Sequence, residues 1–326
     1  AATDDVTIAH AVTVGATLTQ TGSVTINSGG SLTIINVPIT FGALTIDSGG
    51  TLSTIGLVTV SGATNITGTI NFNTSPHANV FTGDVTLNSG AVWNDTTLAN
   101  TFNFGGSLIN NATTFSTTST GTHAFSGAGK TISGTTTTSI PKFSFTGTYT
   151  NTGTLTAATW VDVTGTLTNN GTITTSALSG AGGVTQGITG ILNFSGASIT
   201  PTLTATAAGN TVNYTGAGAQ SIKSTTYSNL TTSGSGIKTA GGVVTVTNLS
   251  VGSGTTFSTA NSVSAGGNWT VDGTFAQTAV STTFTGGGTH TCSGVGISQF
   301  AALITSSQTI NAGSCDLRIS GSWTHG

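Results

Sequence analysis

Aspartates are the only acidic side chains with which this chain could do catalysis, and they are few. The 326 residues contain eight acids, all aspartate, and a single arginine, Arg318. Most of the aspartates stand alone in the sequence, at Asp47, Asp84, Asp95, Asp162, Asp272 and Asp316. Glycoside-cleaving enzymes need two neighbouring carboxylates, usually beside a cation that stabilises developing charge. We therefore predict turn-capping aspartates, no catalytic residues and no enzymatic activity; an Asp47–Asp84 pair brought together by folding is the alternative.

Metal and cofactor motifs are also missing from the sequence. The five histidines are His10, His77, His123, His290 and His325, and none shares an H-E-x-x-H or Cys-His spacing. A zinc site built from the two cysteines and distant histidines is the alternative. The Gly127-Ala-Gly129 segment has no helix-forming sequence behind it, as a dinucleotide-binding loop would require. The sequence thus predicts neither a metal nor a cofactor.

The two cysteines, Cys292 and Cys315, predict a disulfide. They are the only cysteines in the chain, and their separation is close to one of the repeats described below. A disulfide fits an exported protein, because oxidising compartments are where such bonds persist. Two buried free thiols are the alternative.

Charge limits the possible partners and the location. Charged residues make up 4% of the chain and the net charge is −3. Since no run of Lys or Arg could neutralise phosphates, we expect no nucleic-acid partner. No stretch approaches the roughly 18 apolar residues of a membrane-spanning helix. The opening residues 1–5 are typical of a mature start after signal-peptide removal, so we expect an extracellular or cell-surface protein.

Internal repeats predict the fold. The sequence V-T-I-N-S-G-G-S-L at 24–32 returns as L-T-I-D-S-G-G-T-L at 44–52 and as V-T-L-N-S-G at 85–90. Each unit alternates apolar and polar residues and then turns, with a period of about 20 residues. Such units bury their apolar sides only by stacking, about 4.8 Å apart, as coils of a parallel β-solenoid. We expect Asn27, Asp47 and Asn88 to occupy equivalent turn positions, where they can take left-handed backbone angles.

The prediction is therefore an all-β parallel β-solenoid with coils of about 20 residues. Tandem β-sandwich domains are the alternative, because short strands at regular spacing also describe them. Short regular repeats fill residues 1–120, and longer repeats fill 121–326, so we expect two regions in one stack. The columns of inward residues predicted from the first repeats are Val24, Ile26, Leu32, Leu44, Ile46 and Leu52.

The C-terminal repeats share recognisable phrases. Phe125-Ser-Gly127-Ala-Gly129 returns as Tyr214-Thr-Gly216-Ala-Gly218, and Gly267-Asn-Trp269-Thr returns as Gly321-Ser-Trp323-Thr. In these phrases the chain resembles the β-strand-repeat, adhesin-like surface proteins of bacteria. The resemblance covers most of residues 120–326 and, more weakly, the N-terminal part. It implies a repetitive β-solenoid exposed at a cell surface.

The functional prediction is structural: a filament or surface-fibre subunit that assembles head to tail with further copies of itself. We expect the subunit interface to comprise Val6, Ile8, Val12, Val14, Leu317 and Trp323. An open solenoid end exposes unpaired strand edges, which are templates for another strand. A surface adhesin that binds cell-surface glycans through its Trp and Thr faces is the alternative. A β-helical carbohydrate-active enzyme is the third hypothesis.

Overall fold

The chain forms two compact units, Ala1–Gly171 and Thr172–Gly326. The computed structural model describes residues 3–73, 76–96, 99–286 and 289–326. These described residues form β-strands and turns, without a helix. The change of repeat style after residue 120 falls inside the first unit, here called unit 1; Thr172–Gly326 is unit 2.

Unit 1 is built from short strands because its apolar residues alternate with Thr, Ser and Asn, a period of two that suits a pleated strand. The strands are β1 Val6–Ile8, β2 Ala11–Val14, β3 Leu18–Ile26, β4 Ser31–Ile34, β5 Ile39–Ile46, β6 Thr51–Thr54, β7 Val58–Val60, β8 Thr64–Ile66, β9 Thr69–Phe72, β10 Ala78–Phe81, β11 Val85–Leu87, β12 Val92–Asp95, β13 Thr101–Phe104, β14 Leu108–Asn110, β15 Thr114–Thr117, β16 His123–Phe125, β17 Lys130–Ser133, β18 Thr138–Ser139, β19 Lys142–Phe145, β20 Thr148–Asn151, β21 Thr154–Ala157, β22 Trp160–Val163 and β23 Thr166–Asn169.

Unit 2 follows the same pattern. Its strands are β24 Thr172–Thr175, β25 Leu178–Ser179, β26 Gly183–Gln186, β27 Ile191–Phe194, β28 Thr202–Thr204, β29 Thr211–Tyr214, β30 Gln220–Ile222, β31 Thr226–Thr232, β32 Gly236–Ala240, β33 Val244–Val251, β34 Thr255–Thr259, β35 Val263–Ala265, β36 Trp269–Val271, β37 Thr274–Gln277, β38 Thr282–Phe284, β39 Thr289–Ser293, β40 Ile297–Phe300, β41 Leu303–Thr305, β42 Thr309–Asn311, β43 Asp316–Ile319 and β44 Trp323–His325.

Strand register confirms the predicted solenoid. In unit 1, Ile8 pairs with Ile26 and Ile26 with Ile46, in parallel. In unit 2, Leu230 pairs with Leu249 in the same parallel sense. The coils are roughly 19 residues long. The β-sandwich alternative is wrong, because its sheets are antiparallel, whereas here each strand lies beside the corresponding strand of the next coil.

The core of unit 1 consists of stacked columns of identical or similar side chains. All six residues predicted to point inward are buried: Val24, Ile26, Leu32, Leu44, Ile46 and Leu52. Further along, Phe104 stacks on Phe125 with ring centroids 5.0 Å apart, and Phe125 stacks on Phe145 at 5.2 Å. We call the rings of Phe81, Phe104, Phe125 and Phe145 the phenylalanine column. It arises because a solenoid places every inward residue directly above its counterpart.

The recurring turn corrects one detail of the sequence prediction. The carbonyl of Asp47 accepts a bond from the Gly50 amide at 2.8 Å, so this residue does open a tight turn. The left-handed angle, however, belongs to the glycine two residues on: φ is 78° at Gly29, 81° at Gly49 and 95° at Gly90. Glycine takes this conformation without the Cβ penalty that aspartate would incur.

The core of unit 2 centres on Trp269. This side chain is fully buried, and its ring lies 4.7 Å from Phe275 and 5.7 Å from Phe300. Its Nε1–H donates to Ser298 Oγ at 3.1 Å, which satisfies the one polar atom of the indole. Trp269 sits in the column that contains Leu249, so the repeat accommodates a large ring where the previous coil has an aliphatic chain.

Candidate functional site

The predicted interface residues of the first coil line one apolar cavity. Val6, Ile8, Val12 and Val14 lie around a cavity of about 210 Å³ in unit 1. Val6 and Val12 are 39% and 40% exposed, although their register partners further along the unit are buried. Val6 and Val12 occupy positions whose side chains are buried in the next coil, yet here they are exposed. This surface is therefore an uncovered cross-section of the solenoid core. We call it the first-coil face.

The predicted interface residues of the last strands lie on a comparable surface of unit 2. Trp323 is in register with the buried Leu303, yet it is 60% exposed. Its Nε1–H donates to Thr305 Oγ1 at 3.2 Å. Leu317 pairs with the buried Ser298 and is half-buried. Inward-facing apolar groups are therefore accessible here too, and we call this surface the last-coil face.

The predicted disulfide is present. Cys292 and Cys315 are bonded, with their Cα atoms 5.8 Å apart and a sequence separation of 23. Because that separation is about one coil, the bond joins two neighbouring rungs of unit 2. It links the buried Cys292 on β39 to the segment that leads into β43.

Several aspartates accept a hydrogen bond from a backbone amide 18 to 23 residues away, so they join neighbouring coils rather than cap a turn of their own. Asp84 Oδ1 accepts from the Ser107 amide at 2.7 Å, and Asp272 Oδ1 accepts from the Val295 amide at 3.3 Å. Asp5 Oδ1 accepts from the Ser23 amide at 2.8 Å, and hydrogen bonding from the Ser23 side chain, then from this amide, lowers the pKa of Asp5. Within the part of the chain that the structure describes, no group of three His, Cys, Asp or Glu residues could hold a metal ion.

One aspartate is different, and no motif in the sequence indicated its environment. Asp95 is fully buried, and its Oδ2 lies 3.5 Å from Nε2 of the equally buried His123. Asn100 Nδ2 donates to Asp95 Oδ1 at 2.9 Å. The His123 ring also stacks on Phe102, with centroids 4.6 Å apart. This is an ionisable pair inside the apolar core, held by stacking and by one amide.

Two of the four tryptophans are core residues. Trp93 and Trp269 are buried in the cores of unit 1 and unit 2, respectively. Trp160 is half-buried, and only Trp323 exposes most of its side chain. A glycan surface made of stacked indoles is therefore excluded for Trp93 and Trp269.

The aromatic-x-Gly segments form a structural feature that was not predicted from the sequence. Their carbonyls converge at a corner, and a long polar side chain fills that corner. Lys238 Nζ, fully buried, donates to the carbonyls of Gly216, Gly218 and Ser235 at 2.5, 3.0 and 3.0 Å. Burial lowers the pKa of Lys238.

Neutral side chains fill two equivalent corners. Gln220, the register partner of Lys238, donates through Nε2 to the carbonyls of Phe194 and Gly196 at 3.0 and 2.7 Å. In unit 1, the Tyr149 hydroxyl lies 2.8 and 2.9 Å from the carbonyl oxygens of Phe104 and Gly106. Burial raises the pKa of Tyr149 to about 12. No fixed spacing in the sequence indicates these contacts: Gln220 lies 24 residues after Gly196, Lys238 lies 22 after Gly216, and Tyr149 lies 43 after Gly106.

Comparison with protein-family models, with curated proteins and with solved structures finds no match for this chain. Among the residues that the structure describes, no helix is long and apolar enough to cross a membrane.

Proposed function

We propose that this protein is a non-enzymatic structural subunit of an extracellular filament or surface fibre, in which copies stack head to tail. The last-coil face of one copy, with Leu317 and Trp323, would cover the first-coil face of the next, with Val6 and Val12. The observation that carries this proposal is the exposure of inward-register apolar residues on both faces.

Two physical arguments support the stacking. Strand edges β1 and β44 can continue the parallel ladder, because β-augmentation uses the same backbone bonds as the stacked coils. The two faces differ from each other, so their contact is heterologous, and a heterologous contact that does not close makes a filament. The extracellular assignment rests on the disulfide and on the resemblance to adhesin-like surface proteins.

The test is assembly of purified protein, followed by negative-stain microscopy and light scattering. We expect filaments from the unaltered chain and few or none from Val12→Asp or from a chain lacking residues 1–14. Ile188→Asp is the matched control, because Ile188 is 70% exposed and belongs to neither face.

Three outcomes would contradict the proposal. Filaments of normal length from the chain lacking residues 1–14 would exclude docking at the first-coil face. The unaltered protein remaining monomeric at all concentrations would favour a longer protein, whose next coil is joined covalently. Turnover of a polysaccharide, lost on Asp→Ala substitution, would favour the carbohydrate-active enzyme.

A further inference from the structure

Unit 2 carries an uncharged polar groove on three neighbouring strands, β31, β33 and β36. Its volume is about 280 Å³. Asn229, Asn248 and Asn268 line one side, and Thr231, Ser250 and Thr270 line the other. Leu230 and Leu249 lie between the two rows and are buried. We call this the amide groove.

Register makes the groove regular. Asn229 pairs with Asn248, Thr231 with Ser250, and Ser250 with Thr270. Each row therefore repeats at the strand spacing of about 4.8 Å. Three consecutive coils thus present the same amide-plus-hydroxyl combination.

The amides are held in fixed orientations by a ladder. Asn248 Nδ2 donates to Asn229 Oδ1 at 2.8 Å, and Asn229 Nδ2 donates to the carbonyl of Asn210 at 2.7 Å. The backbone N–H of Asn268 donates to Asn248 Oδ1 at 2.9 Å. Among the described residues, the Asn268 carboxamide and the hydroxyls of Thr231 and Ser250 make no hydrogen bond of their own, so they are available to a ligand.

We propose that the amide groove binds an uncharged oligosaccharide in an extended conformation, one sugar for each coil. Carboxamides and hydroxyls both donate and accept, as the hydroxyls of a sugar require. No Lys, Arg, Asp or Glu lines the groove, which disfavours phosphates, nucleic acids and acidic polysaccharides. An extended β-linked chain advances by about one strand spacing per sugar, so its hydroxyls keep step with the rows.

The proposal is independent of filament assembly, since none of these residues belongs to either end face. The probes are four uncharged hexasaccharides (β-1,4-glucan, β-1,3-glucan, β-1,4-mannan and chitin) and one acidic one, hexagalacturonate. Binding is measured by titration calorimetry on protein of confirmed unmodified mass, because all three asparagines begin Asn-x-Ser/Thr triplets that could carry a glycan.

Two substitutions locate the binding. Ser250→Tyr fills the groove and should raise the Kd of the best uncharged probe at least about tenfold. Asn268→Ala removes one exposed carboxamide but keeps the hydrogen bond from the backbone N–H of residue 268 to Asn248. It should raise the Kd about threefold to fivefold. Ser53→Tyr is the control, because Ser53 belongs to a similar amide ladder, with Asn71 and Asn94, on unit 1.

An unchanged Kd in folded Ser250→Tyr protein would overturn the proposal, as would equal loss in Ser53→Tyr. The absence of binding by all four uncharged probes would overturn it too. Tighter binding of hexagalacturonate than of any uncharged probe would show that the ligand class is wrong.

Discussion

The two units solve the same packing problem with different side chains. Unit 1 stacks rings in the phenylalanine column and buries the Asp95–His123 pair beside it. Unit 2 has fewer stacked rings, but it has a disulfide and a buried lysine on backbone carbonyls. The difference shows that a solenoid determines whether a side chain points inward. The residue type that fills the core of each coil, however, varies between the units. Stability is then local to each level, as expected of a repeat protein.

The largest expected effect is loss of a ring from the phenylalanine column. Phe125→Ala should destabilise unit 1 by about 4–5 kcal/mol, because a buried cavity is added to the lost ring contacts. Phe125 contacts four rings, those of Phe104, Phe143, Phe145 and Tyr149. Native-state hydrogen exchange of the amides in β13, β16 and β19 measures the change.

The matched variant in unit 2 is Phe257→Ala. Phe257 is also fully buried, but it contacts one ring, that of Phe275. Its truncation should cost about 1 kcal/mol less than that of Phe125. Equal costs would mean that ring stacking adds nothing to burial in unit 1.

Next in size is the buried ionisable pair. His123→Phe should destabilise unit 1 by about 3–5 kcal/mol, because it leaves the Asp95 carboxylate buried without its partner. The double variant His123→Phe/Asp95→Leu should recover all of that loss or exceed it, since apolar replacement of a whole buried pair is often stabilising. Denaturant titration of the unaltered protein, His123→Phe, Asp95→Leu and the double variant gives the coupling free energy between the two side chains. A double variant as unstable as His123→Phe would show that the loss of stability in His123→Phe does not come from the unpaired Asp95 carboxylate.

The disulfide should contribute about 3 kcal/mol to the stability of its own coils. Cys315→Ser should raise hydrogen exchange in β42, β43 and β44 and leave β13, β16 and β19 of unit 1 unchanged. Reduction of the unaltered protein serves as the second route to the same state. Faster hydrogen exchange throughout both units would contradict the expectation that the stability of each coil is local.

The smallest effect concerns the corner-filling side chains. Lys238→Gln, which copies Gln220, should change stability by only about 1 kcal/mol at neutral pH, since Gln can still donate to two carbonyls. The pH dependence is more informative. Because burial lowers the pKa of Lys238, the unfolded chain binds more protons between that lowered value and the ordinary value of 10.5.

The unfolding free energy of the unaltered protein should therefore rise with pH across that interval, and this rise should be absent in Lys238→Gln. Urea titrations between pH 7 and the ordinary lysine pKa compare the two slopes. Tyr149→Phe is the neutral counterpart in unit 1, and it should show no slope difference from the unaltered protein below pH 9. Parallel slopes for Lys238→Gln and the unaltered protein would mean that the ammonium is effectively solvated.

The sequence by itself determined the fold class, the repeat length and the register. Residues such as Ile26 and Ile46 recur at one spacing, and stacking is the arrangement that buries them all, so their contact was predictable. The disulfide was predictable for the same reason, because Cys292 and Cys315 are about one coil apart. Val6 on the first strand and Trp323 on the last are in register with the buried Val24 and Leu303.

Tertiary structure alone decided which polar groups meet inside and on the surface. Asp95 and His123 lie on different strands of different coils, with no motif to link them, so their contact depends on the width of the core. Lys238 reaches the Gly216 carbonyl only because the corner of the previous coil turns toward it. The amide groove likewise requires the surface over β31, β33 and β36 to be concave, and hydrophobic periodicity specifies which face is buried but not its curvature.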